Sequence, residues 1–175
     1  KDFFAGLSLK EISVLLESVA EQLNTYAEGI IIFYEPTFGW RPLSREEKEQ
    51  GITLINNIKK KCKLPLGFVQ HFFPLNDEER DYLFSLPVEA IGIDFYANTI
   101  EKTLPHFPKD KQLIAGIINT LSPTLEDKHV AAAFLEELYK HHPQEQILIT
   151  TSGPAEFLPR KAIDRKINQM KELVR

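Results

Sequence analysis

The chain has little of what would announce a chemistry outright. It holds one cysteine, one methionine and one tryptophan in 175 residues. A single thiol, Cys62, cannot form an internal disulfide, and such usage suits the cytosol, the expected location. No apolar run approaches the roughly 18 residues a membrane span needs, and no signal-peptide pattern opens the chain, so no membrane partner is expected. Basic charge is not in excess: 21 Lys and Arg stand against 25 Asp and Glu, a net charge of −4. A nucleic-acid surface would want the opposite balance. A Gly-rich phosphate loop, a G-x-S-x-G elbow, an H-E-x-x-H pair and a C-x-x-C pair are all absent.

What the chain does have is five short apolar runs. They are GIIIFYEP (29–36), LGFVQHFF (66–73), AIGIDFYAN (90–98), QLIAGIINT (112–120) and QILITTSGP (146–154). Each is nearly continuous and rich in β-branched and aromatic residues, the pattern of strands buried on both faces in a parallel sheet. Amphipathic stretches separate them. Ser8 to Glu11, Ser44 to Glu47 and Asn76 to Glu79 each place a capping side chain three residues before a carboxylate, a helix-start signature.

Helical stripes follow at Leu9, Ile12, Leu16, Val19 and Leu23, at Ile52, Ile55 and Ile58, and at Tyr82, Leu83 and Leu86. Val130, Phe134, Leu135 and Leu138 make a further stripe, as do Ile163, Ile167, Met170 and Val174. Two prolines in 98–111 predict only a turn of helix and a loop there. Lys59, Lys60 and Lys61 end a predicted helix, where they complement its dipole; an anion site is the competing reading. Alternating strands and helices predict an α/β fold with a parallel sheet in one domain, residues 1–175.

In such folds the chemistry sits at the carboxyl ends of strands. The candidates there are Glu35, His71, Asp94, Asn119 and Ser152. Each has a plainer reading. His71 among apolar neighbours is a ligand or a hydrogen-bonded histidine in the sheet's mouth. Asp94 binds or caps the next turn. Glu35 binds substrate or serves as a cap or in a loop ion pair. Ser152-Gly153-Pro154 is a tight turn or an amide cradle for an anion. Phe38 and Trp40 form an aromatic wall for a flat ligand or pack as a lid.

The order of five landmarks resembles the cobalamin-independent methionine synthases. Glu35-Pro36 is similar to that family's Asp-Glu-Pro strand end. LPVEAIGID (86–94) resembles its LPVDGLGLD strand, and KDKQLIAGIIN (109–119) its PKDK-LxxGVVD strand. TTSGPAEFLPR (150–160) resembles its TPSCGLEFLPR signature, and Arg160-Lys161-Ala162 through Lys166 continues that match as the fifth landmark. The resemblance implies a (β/α)8 TIM barrel of which this chain is the C-terminal part, covering about strands four to eight. Five strands cannot close an eight-stranded barrel, so the native protein is expected to be longer, or another chain to supply the rest.

The resemblance also implies a zinc-held thiolate mechanism, with one His, two Cys and a Glu as ligands. His71 falls at the His position and Asp94 at the Glu position. Phe73 and Gly153 fall where the thiols belong, Tyr34 at the amine-binding carboxylate, Leu121 at the general-acid histidine and Asn119 at its neighbouring Asp. Two remaining ligands are fewer than zinc needs, so no cofactor is expected unless a missing segment completes the site. Three functions follow as expectations. The first is a methionine-synthase-like methyltransferase barrel, moving a methyl group from a folate-type donor to homocysteine. The second is a non-catalytic barrel resembling the N-terminal domain of the long enzymes. The third is a zinc-free barrel enzyme of the uroporphyrinogen-decarboxylase type, for which the needed arginine set is not seen. The expected partners are a small-molecule ligand or a catalytic partner chain, with an oligomer left open.

Overall fold

The structure is a computed structural model and describes residues 6–35, 40–143 and 147–173, with Phe157 described by its backbone alone. Five strands form one parallel sheet in chain order: β1 (Ile31–Glu35), β2 (Leu66–Gln70), β3 (Ala90–Asp94), β4 (Gln112–Ile118) and β5 (Ile147–Thr151). The register pairs Glu35 with Gln70, Gly67 with Ala90, Asp94 with Gly116 and Gly116 with Thr150. The strands are shorter than the apolar runs, because each run spills into the turn that follows it. Gln146 and Pro36, expected at strand ends, lie outside the described residues.

The helices are α1 (Leu9–Leu23), α2 (Arg45–Lys61), α3 (Asp77–Ser85), α4 (Ile100–Thr103), α5 (Lys128–His141) and α6 (Arg160–Leu173). The three expected capping boxes open α1, α2 and α3. Asp127 starts α5 by accepting from the His129 and Val130 amides. The β3–β4 connection is the single turn α4 and a 3-10 turn at Leu104–His106, as its prolines predicted.

Continuous apolar runs are needed because both faces of each strand are covered. Outward residues such as Ile31, Leu66, Ile91, Ile93 and Leu113 join Ile55, Ile58, Leu83, Leu135 and Leu138 of the helices in one core. The inner face packs separately: Val69, Ala90 and Ile114 with Ile30 and Ile32. The sheet curls enough for β1 and β4 to meet over β2. A Cβ built on Gly67 would lie 3.2 Å from Ile114 and 3.3 Å from both Ile30 and Ile32, so glycine lets these side chains meet closely over the strand.

Some helix faces differ from the expected stripes. In α1 only Ala20 is buried; Leu9 and Val19 are 44% and 43% exposed. In α5 the core side runs through Ala131, Leu135 and Leu138, and Val130 points to solvent at 68% exposure. In α6 the buried residues are Ala162, Ile163, Lys166 and Gln169, with Ile167 exposed and Val174 outside the described residues. Lys59, Lys60 and Lys61 close α2 as expected, and Lys59 also pairs with Glu89 at the foot of β3. Among the described residues no helix is long and apolar enough to cross a membrane.

Candidate functional site at the strand ends

The turn after β2 is the centre of the strand-end cluster. His71 is 1% exposed, and its Nδ1 lies 2.8 Å from the Ser152 carbonyl oxygen, after β5. A carbonyl only accepts, so Nδ1 carries the proton and Nε2 is left with a lone pair. That Nε2 is buried with no partner among the described residues. Burial pushes the imidazole pKa down, only partly countered by the Ser152 carbonyl and the nearby Asp94 charge. The Tyr34 ring lies parallel to the imidazole, centroids 5.3 Å apart.

Phe72 follows with a φ of 71°, a left-handed conformation that a phenylalanine adopts only at a cost. Asp94 holds it there: its carboxylate accepts from the Phe72 amide at 3.0 Å and from the Tyr96 amide at 2.8 Å. Burial pushes the Asp94 carboxyl up, against the pull of these amides and of His71. Beneath the turn, the fully buried Gln70 amide donates to the His71 and Phe73 carbonyls, at 3.1 and 2.6 Å. Asn98 donates to the Asp94 carbonyl at 3.0 Å and accepts from the Leu75 amide at 2.8 Å.

Ser152 ties three strand ends together. Its carbonyl serves His71, its hydroxyl accepts from the Thr120 amide at 3.3 Å, and its own amide donates to Ile118 at 2.8 Å. That amide is therefore engaged, and the 3-10 turn Ala155–Phe157 follows. The structure thus brings His71, Asp94 and Ser152 together. Asn119 is adjacent but committed: its side chain accepts from the Leu121 amide at 2.7 Å and its amide donates to Glu126 at 2.8 Å. Glu35 stands at the end of β1, in register with Gln70. Trp40 is 71% exposed, and Phe38 lies outside the described residues.

Sequence reading missed Gln70, Asn98 and Thr120. The Thr120 hydroxyl is buried without a partner among the described residues. Its place two residues after β4 was the one available signal.

Among the described residues no three His, Cys, Asp or Glu side chains cluster as a metal site would need. Phe73 offers no donor atom. At Gly153 a Cβ would lie 2.7 Å from the Phe72 ring and 2.8 Å from the Thr120 hydroxyl, so a cysteine there would have to displace those side chains. Cys62 caps α2 and donates to the Leu64 carbonyl, at the other end of β2. The residues present do not fit a zinc centre.

Comparison with known proteins supplies the wider frame. Residues 3–143 match the family model of the cobalamin-independent synthase N-terminal domain. The 5-methyltetrahydropteroyltriglutamate–homocysteine methyltransferase of Streptococcus thermophilus is 32% identical over 114 residues, 64% of this chain and 15% of that protein. The same-named protein of a Thermotoga species is 28% identical over 133 residues, 74% of this chain and 17% of that protein. The chain therefore spans about a sixth of the curated relatives it matches. A solved B12-independent methionine synthase from Shewanella, in complex with selenomethionine, superposes over 99% of this chain and 56% of its own. Its TM-score is 0.72 at 16% identity, a likeness of fold.

Proposed function

The chain belongs to the family of the cobalamin-independent synthase N-terminal domain, and from that premise we propose that it is the fourth-to-eighth-strand part of an eight-stranded barrel that performs no methyl transfer itself. Its role is that of a binding and scaffolding domain in a methyltransferase of the methionine synthase type. The observation that carries the reading is the pair of substitutions at the thiol positions. Phe73 has no ligand atom, and the space a cysteine would need at Gly153 is filled by Phe72 and Thr120. Thiolate activation by a metal depends on that ligand set. The curl of the sheet over Gly67 and the edge positions of β1 and β5 support barrel closure by strands from elsewhere.

His71 and Asp94 then act as structural groups. Asp94 holds the Phe72 backbone, and His71 ties β2 to β5 through Ser152. Asp94 is not the acid–base partner of His71, since its oxygens are turned to amides and the two side chains share no hydrogen bond. The test is homocysteine methylation by the natural full-length protein with His71→Asn, whose amide can still donate to the Ser152 carbonyl. The expected kcat stays within about twofold of wild type. A fall of about a hundredfold or more, the scale expected for losing a metal ligand, would overturn the proposal.

A further inference from the structure

We propose that the cleft between the β3 turn, β4 and α5 is a second binding site, for a planar apolar ring carrying one N–H donor. This site lies on the helix side of the sheet, and the proposal does not rest on the reading of the strand ends. It arises from the sequence in a simple way. Pro105 and Pro108 limit the β3–β4 connection to one helical turn and a 3-10 turn. A helix that short leaves a cleft beside the carboxyl half of β4, between the β3 turn and α5, and Ile117 at its floor is 6% exposed.

The result is a cavity of about 270 Å³ whose walls include Phe95, Ile117, Val130 and Ala131, with Tyr96 and Glu126 at its polar end. Phe95 is braced edge-on against Phe134, centroids 5.4 Å apart, so the aromatic wall is fixed. An apolar cavity of about 150 Å³ takes up benzene. The larger volume here leaves room for a bicyclic ring.

Glu126 sets the polar requirement. Its Oε1 accepts from the Asn119 amide at 2.8 Å, the Lys166 ammonium at 2.8 Å and the Tyr96 hydroxyl at 3.4 Å. Among the described residues its Oε2 accepts only from Lys166, at 3.1 Å. A carboxylate oxygen with one donor takes another and gives none. The pair with Lys166 already balances the charge, so a neutral N–H suits the position. A ligand anion would meet both Glu126 and Asp127.

The experiment is methyl NMR on the natural full-length protein, titrated with indole and separately with 1-methylindole. Indole should shift the Ile117, Val130 and Ala131 methyls saturably. 1-Methylindole, which lacks the donor, should bind about tenfold more weakly, the worth of one hydrogen bond to a charged group. Ala131→Leu should fill the space and weaken indole by about tenfold or more. Should that variant not fold, nuclear Overhauser contacts from indole to the Ala131 methyl in the unaltered protein decide the matter. Absence of these shifts or contacts, or equal affinity for the two indoles, overturns the proposal.

Discussion

Lys166 is fully buried, and its ammonium makes three contacts: the Thr124 carbonyl at 2.5 Å and the two Glu126 oxygens at 2.8 and 3.1 Å. Lys166→Met would remove all three and leave the Glu126 carboxylate, itself 9% exposed, facing only the Asn119 amide and the Tyr96 hydroxyl. Removing one partner of a buried pair costs about 3–5 kcal/mol, because the other charge stays desolvated and unpaired. Out of a total of about 5–15 kcal/mol, that is a large share.

At about 2–4 °C per kcal/mol for a domain of this size, the melting temperature should fall by about 6–20 °C. Urea unfolding followed by circular dichroism gives the free energy directly. The double variant Lys166→Met with Glu126→Gln should recover most of the loss, since the amide oxygen still accepts from Asn119 and no charge remains. A loss below about 1 kcal/mol in the single variant, or no recovery in the double, would refute the reasoning.

Two further outcomes follow from the strand ends. Burial lowers the His71 pKa, so on acidification the unfolded chain takes up the proton first; stability should therefore fall as pH drops from about 7 to about 5. His142, lowered by burial as well, contributes in the same direction. His71→Asn should flatten part of that slope in pH-dependent urea titrations, and an unchanged slope would remove His71 from the account. Gly153→Cys should cost about 1–3 kcal/mol in the same assay through its clash with Phe72 and Thr120, and a neutral result would mean the turn has room after all.

The strands were legible because burial on both faces leaves a mark no loop imitates, and the caps because their chemistry is local. The helix faces were less so. A stripe on α1 shows which side could be buried, and only the neighbouring elements decide whether anything covers it; Val19 is exposed for that reason. Ala131 carries too weak a hydrophobic signal to compete with Val130 in the sequence, yet it faces the core. Lys166 reads as a surface residue until Glu126, 40 positions away, is seen beside it.

At the site, residue types at strand ends pointed to His71, Asp94 and Ser152. Their roles depend on contacts the sequence does not display. The bond from His71 to Ser152 spans 81 positions and exists only because strand order and curl bring β2 and β5 together. The left-handed backbone at Phe72 could not be read from a phenylalanine at all; it is imposed by Asp94 and by the space Gly153 leaves.

The most direct test of the central claim is zinc stoichiometry by elemental analysis. Natural full-length protein, purified without chelators, would be compared with its His71→Asn variant. A barrel without a thiolate-activating centre predicts the same zinc per chain in both, whatever a neighbouring domain binds. Loss of about one zinc per chain in the variant would contradict the account and restore His71 as a metal ligand.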